Sequence, residues 1–204
     1  MTTMWKTAAG MAALMSVVVA AAPQLKSSWR NLDPAATPVS NIVVIGFTKD
    51  LATRRSMEDA LTAEIRKNGA KAEPSYSLIP GQLPKDAAEI KAKVTAAGFD
   101  GAAVVRVAGV SQTQSWDSGY IPMMPTYYAS PWSYWGYYYP YAWDPFYLQT
   151  DTTVRVETVV YAVKGEVMVW TGLSESTNPG SIRKIIQQVA VAVGADLKKR
   201  NVLR

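Results

Sequence analysis

Apolar and polar positions along the chain alternate between two periods. NIVVIGF at 41–47 is a continuous apolar run rich in β-branched residues, the form of a strand buried on both faces of a parallel sheet. Met57, Ala60, Leu61 and Ile65 then recur at helical spacing over 53–68, with Glu58 and Asp59 early, Arg66 and Lys67 late, and Gly69 as a stop. A shorter strand is expected over 70–77, and Pro74 within it points to a sheet edge, where a missing N–H breaks no ladder. Beyond a loop through Pro80, Gly81 and Pro84, Asp86 is suited to cap a helix carrying Ile90, Val94 and Ala97 and ending at Gly98. AAVVRVA at 102–108 is again a buried strand. This β-α-β-α-β alternation predicts three parallel strands with right-handed crossovers, the first strand lying in the middle.

The second half changes pattern. TTVRVETVVYAV at 152–163 and EVMVWT at 166–171, joined through Lys164 and Gly165, read as a hairpin. Asn178 is expected to cap a helix with Pro179 at its first position. Ile182, Ile185, Ile186, Val189, Val193 and Leu197 line one face of it up to Lys198, Lys199 and Arg200, an apolar stripe that packs as core. The predicted fold class is therefore α/β: β-α-β-α-β, then a β-hairpin and a C-terminal helix, forming a mixed five-stranded sheet covered by three helices.

The stretches outside these elements decide compartment and organisation. Residues 1–6 carry one positive charge, Lys6, and an apolar run follows over 7–22. It is shorter than the roughly 20 residues of a membrane-spanning helix and closes on small residues, which fits a secretory signal. Val19 and Ala21 fill the small-residue positions for cleavage after Ala21, with an uncleaved anchor as the alternative. Residues 22–40, with Pro23, Pro34 and Pro38 and no apolar period, read as a flexible tether. Residues 41–204 form a single α/β domain with an insert at 116–147. The protein is thus expected to be exported, to the periplasm or cell envelope.

Composition narrows the chemistry. Hydrophobic residues make up 49% and charged residues 18% of the chain, which suits a folded globular domain. Cysteine and histidine are both absent. No disulfide, thiolate nucleophile or histidine base is available, which excludes serine–histidine, cysteine–histidine and ordinary zinc mechanisms. No cofactor or metal site is expected. The net charge of +5 falls to +4 without Lys6. Its basic residues are scattered over several segments, a mild basicity that favours anionic surfaces such as lipid headgroups without the concentrated patch of a nucleic-acid binder.

The segment 116–147 stands apart, with 14 aromatic residues among 32 and neither lysine nor arginine. Pro122, Pro125, Pro131, Pro140 and Pro145 argue for a long loop rather than a regular helix or a central strand. Tyrosine and tryptophan bury ring area while keeping a polar partner. The segment either packs on its own domain, is a low-complexity flexible insert, or presents Trp132, Tyr134, Trp135, Tyr137, Tyr138 and Tyr139 as an exposed contact surface for glycan, membrane or another envelope protein. Asp117 and Asp144 flank it and make the one candidate acid and base pair for glycan hydrolysis, although solvated turns account for both. Gly46 has neither a dinucleotide fingerprint nor a phosphate loop around it. Arg54 and Arg55 open a helix where cations oppose the dipole and read as a solvated first turn. Residues 174–178 (SESTN) read as a polar turn feeding a helix start.

Several strings carry a resemblance over nearly the whole chain after the signal: SSWRN at 27–31, VVIGFTKD at 43–50, RRSMEDAL at 54–61, PSYSLIPG at 74–81 and VWTGLSESTNPGSI at 169–182. With them the chain is similar to an uncharacterised family of bacterial envelope lipoproteins with a domain of unknown function. That family resembles in turn the amino-terminal α/β fold of TolB-like periplasmic proteins. The resemblance implies an envelope role without a catalytic activity. The chain departs from the family in lacking the lipid-bearing cysteine. The expected function is a non-catalytic binding or assembly module using the aromatic segment, with a carboxylate-dependent hydrolase of envelope glycans as the alternative.

Overall fold

The computed structural model describes residues 24–112, 130, 132, 133, 135, 152–177 and 179–204. The expected signal and Asn178 lie outside them. Six strands and three helices follow in chain order: β1 (Gln24–Arg30), β2 (Asn41–Gly46), α1 (Leu51–Lys67), β3 (Lys71–Pro74), α2 (Ala87–Ala96), β4 (Gly101–Gln112), β5 (Thr152–Ala162), β6 (Val167–Thr177) and α3 (Ile182–Lys199). They build one mixed sheet in the order β1-β6-β5-β4-β2-β3. The β3, β2 and β4 ladders are parallel, with β2 in the middle, as the alternation predicts. The remaining pairings are antiparallel.

Each face of the sheet has its own core because side chains alternate along a strand. Ile42, Val44, Ala103, Val105, Val156 and Val160 face α1 and α3, whose Met57, Leu61, Ile65, Ile185, Val189, Val193 and Leu197 cover them. Val43, Ile45, Ala102, Val104, Val159 and Tyr161 face α2 through Ile90 and Val94. Close approach is built in by glycine at two places. A Cβ on Gly46 would meet the Arg54 carbonyl of α1 at 3.0 Å, and one on Gly172 would sit 2.3 Å from the Trp170 ring. That ring in turn donates from Nε1 to Asp196 Oδ2 at 3.0 Å, joining β6 to α3.

Four expectations are corrected. The sheet has six strands rather than five, because Gln24–Arg30, assigned above to the tether, pairs with β6 from Gln24 opposite Glu175 to Arg30 opposite Trp170. The three prolines flank this strand without entering it, so composition alone hides the pairing. Ala36 and Val39 beyond it are buried, and Val39 bridges Leu203. β6 runs on to Thr177, its 174–177 stretch paired with 153–156 of β5, so these residues are strand and not a turn. The strand expected over 70–77 ends at Pro74 and gives way to a 3₁₀ turn at Ser75–Ser77; it does lie at the sheet edge. Finally, α3 starts at Ile182 under a Ser181 cap, whose Oγ accepts from Lys184 N at 3.2 Å, and Pro179 precedes it.

Ile185 sits mid-stripe and is 4% exposed. Ile185→Asp is expected to cost about 3–5 kcal/mol, as an unpaired buried charge does, and to lower the melting temperature by roughly 10 °C. Gln187→Asp on the exposed side of the same helix is expected to leave melting, followed by circular dichroism, nearly unchanged.

Candidate functional site

In open α/β sheets ligands sit outside the carboxyl ends of the parallel strands. Here that end is formed by Phe47, Thr48 and Lys49 after β2, by the 75–86 segment after β3, and by the N-terminus of α1. Asp50 caps α1, its Oδ2 accepting from Thr53 N at 2.8 Å. Hydrogen bonds from the Thr53 side chain and amide hold the Asp50 carboxyl below its ordinary value.

Behind this loop lies a buried ion pair. Arg54 is 1% exposed and Glu58, one helical turn on, is 0% exposed. Arg54 Nε donates to Glu58 Oε1 at 2.8 Å. The same Oε1 accepts from Gly46 N at 2.9 Å and from Ser75 Oγ at 2.7 Å, and Oε2 accepts from Tyr76 N at 2.8 Å. Arg54 completes the set by donating to Ser75 Oγ at 2.8 Å and to the Gly81 carbonyl. With its four donors drawn from three elements and no solvent access, the Glu58 carboxylate is a clamp holding the 75–81 segment against β2 and α1. Arg54 is thereby corrected from a solvated residue to a core one, while Arg55 is exposed and lies over the Tyr76 ring at 5.6 Å. The Tyr76 hydroxyl donates to Asp59 Oδ1 at 2.6 Å, which raises its pKa. The sequence signal for the clamp was the Arg54/Glu58 spacing of four residues, which puts both on one helix face.

The aromatic connection meets the protein beside this clamp. Trp135 is 1% exposed, stands edge-on to Phe47 with ring centroids 4.7 Å apart, and donates from Nε1 to the Pro84 carbonyl at 3.2 Å. Trp132 is half-buried and donates from Nε1 to Glu166 Oε1 at 3.0 Å; Lys91 of α2 pairs with the same oxygen. Trp132, Ser133 and Trp135 are helical, and Ser130 Oγ accepts from Ser133 N at 3.2 Å as an N-cap does. A short helical turn thus stands where the prolines were read as excluding a regular helix. The exposure expected of Trp135 is also corrected, since its ring completes the core on the α2 face. Tyr134, Tyr137, Tyr138 and Tyr139 lie outside the described residues, as do Asp117 and Asp144.

Two further features belong to the surroundings. On the α2 side of the sheet, Glu175 bridges Lys26 at 3.4 Å and Arg155 at 3.1 Å, and Arg106 pairs with Glu157 at 2.8 Å. Burial pushes the Glu175 carboxyl up, but the hydrogen bonds from Arg155 and Lys26 outweigh it and leave the pKa lowered. An open groove of about 550 Å³ runs between α1 and α3, lined by Asp59, Ala60, Ala63, Arg183, Ile186 and Val191 among others. Among the described residues no cluster of three or more acidic, histidine or cysteine side chains is placed to hold a metal ion. None of the described helices is long and apolar enough to cross a membrane.

No family model and no curated protein matches the chain. Among solved structures, two PelC dodecamers from Paraburkholderia phytofirmans align with TM-scores of 0.46 and 0.45 at 11% and 13% identity, covering 87% of this chain and 99% and 98% of theirs. The lipoprotein GNA1162 from Neisseria meningitidis aligns with a TM-score of 0.41 at 13% identity, covering 78% of this chain and 96% of its own. Likeness of this extent carries no inference about role.

Two outcomes follow from the clamp and the cap. Arg54→Met is expected to cost about 3–5 kcal/mol by stranding the Glu58 carboxylate. In urea titrations the Arg54→Met/Glu58→Gln double variant should lose less than the sum of the single losses, by at least about 1 kcal/mol. Asp50→Ala should cost about 1 kcal/mol at neutral pH. Because the folded pKa of Asp50 is depressed, that contribution is complete above its ordinary value of 3.8 and disappears as pH falls through the folded value. Stability curves of wild type and Asp50→Ala should therefore converge in acid.

Proposed function

We propose that this chain is an exported, non-catalytic protein of a bacterial cell envelope, a binding or assembly module whose aromatic connection between β4 and β5 carries the contact residues. One observation supports this above the others. Gln112 at the end of β4 is already paired with Thr152 at the start of β5, and two strands so joined need a link of only a few residues. The segment 113–151 is therefore far longer than closing this pair of strands requires. Loops of that length without a structural task are usually functional, and this one holds 14 aromatic residues over 116–147. Trp135 fastens it beside the carboxyl ends of the parallel strands and Trp132 ties it to Glu166 of the β5–β6 turn, and Tyr134, Tyr137, Tyr138 and Tyr139 are its neighbours in sequence. Tyrosines on an anchored loop suit contact with glycan, membrane or a protein surface at little cost in side-chain entropy.

The anchoring refines the test. Replacing 137–147 by a short glycine-serine bridge, with Trp132 and Trp135 kept, should leave the melting temperature unchanged and weaken association with purified cell-wall glycan or native envelope membranes by about tenfold or more, a loss of about 1.4 kcal/mol. Unfolding of this variant would assign the segment to the core, and undiminished association would make it a passive insert. Turnover of cell-wall glycan that is lost in either Asp117→Asn or Asp144→Asn would replace this reading with a carboxylate-dependent hydrolase.

A further inference from the structure

The amino ends of the parallel strands carry an exposed basic surface. Basic residues that lie far apart in sequence converge there. The last turn of α1 contributes Arg66 and Lys67, and the last turn of α3 contributes Lys198 and Lys199. The two turns are held together because Gly194 of α3 packs on Glu64 and Asn68 of α1. Lys71 opens β3 with its N donating to the Ser40 carbonyl at 2.8 Å, while Arg204 N donates to the adjoining Val39 carbonyl at 2.9 Å. All six of these cations are exposed.

Most acidic residues of this end are engaged by other groups, and the exposed Glu73, two residues from Lys71 on the same face of β3, offsets only part of the charge. Asp100 accepts from the Ser40 and Asn41 amides and the Ser40 hydroxyl, and Asp196 accepts from Trp170 and Arg200. Asp33 accepts from Ala35 N. Glu64 meets Lys67 at 3.4 Å across an exposed surface, where such a pair contributes little. Cations at helix C-termini complement the helix dipole, but Lys71 and Arg204 belong to no helix and extend the patch beyond that explanation. Beside it an apolar residue projects into solvent. Leu32 is 84% exposed, two residues after Arg30, whose guanidinium donates to the Arg200 carbonyl.

We propose that this end of the molecule docks on an anionic lipid surface, with Arg66, Lys67, Lys71, Lys198, Lys199 and Arg204 over the headgroups and Leu32 entering the interface. Clustered cations with an adjacent apolar side chain are the elements of peripheral membrane attachment. The surface lies at the opposite end of the strands from the Trp135 anchor, so the inference stands apart from the reading of the aromatic connection.

Cosedimentation with vesicles tests it. Wild type should bind phosphatidylglycerol-containing vesicles and not pure phosphatidylcholine vesicles, with binding falling as salt is raised. Each cation near such a surface contributes about fivefold, so Lys71→Glu/Lys198→Glu/Lys199→Glu should lose at least about a hundredfold while remaining folded, its melting lowered only by the few degrees that two charge reversals at a helix C-terminus bring. Lys49→Glu/Lys85→Glu/Lys184→Glu alters net charge equally with exposed residues at the other end and should retain most of the binding. Leu32→Ser should weaken it a few-fold, and the 137–147 replacement should leave it intact. Equal loss in both triple variants would reduce the effect to net charge and overturn the proposal. So would binding to both vesicle types alike, no binding to either, or capture by a soluble sulfated glycan in place of vesicles.

Discussion

The buried carboxylate of Glu58 is the constraint on which the arrangement of the parallel half depends. A charge with 0% exposure persists only if it is paired and hydrogen-bonded, and its four donors, three on Oε1 and one on Oε2, come from α1, β2 and the turn after β3. Those three pieces are thereby fixed relative to one another: the end of β2 through Gly46 N, the helix through Arg54, and the turn through Ser75 and Tyr76. Gly46 has to be glycine because α1 crosses it so closely. Arg54 extends the clamp to the Gly81 carbonyl, and Pro84, whose carbonyl receives Trp135, follows three residues later. The seat of Trp135 thus rests on the ion pair through the 75–84 segment.

The two ends of the sheet differ in character for reasons of topology. At the carboxyl ends of the parallel strands the loops are polar, capped and tied down, and Trp135 of the aromatic connection is satisfied there by the Pro84 carbonyl, while Trp132 reaches Glu166 of the β5–β6 turn. At the amino ends two helices finish side by side, and the cations that suit their C-termini accumulate with those of β3 and the 201–204 segment. An antiparallel extension, β5, β6 and β1, lengthens the sheet on one side, so that α1 and α3 share a single face.

β1 shows how one pairing changes the meaning of others. Its contact with β6 turns what would be an edge strand into an interior one over 170–175, while the polar run 174–177 is held extended by its own pairing with 153–156 of β5. The same contact gives Lys26 its place beside Glu175, and Arg30 its place beside the end of α3.

Periodicity is a local property, and what it encodes was legible in the sequence: the β-α-β-α-β order with β2 central, the Asp86 cap, the apolar stripe through Ile185, Val189, Val193 and Leu197, and the edge position implied by Pro74. Each of these depends on residues within a turn or a strand's length of one another. The pairing of 24–30 with β6, the burial of Arg54, the core position of Trp135 and the gathering of cations at one end were decided only in the tertiary structure. Their partners lie far off in sequence: Glu175 opposite Gln24, Ser75 and Gly81 around Arg54, Phe47 against Trp135, Val39 beside Arg204. Whether a charge is solvated, a ring exposed or a basic patch concentrated depends on what the fold brings next to it, and composition carries no record of that.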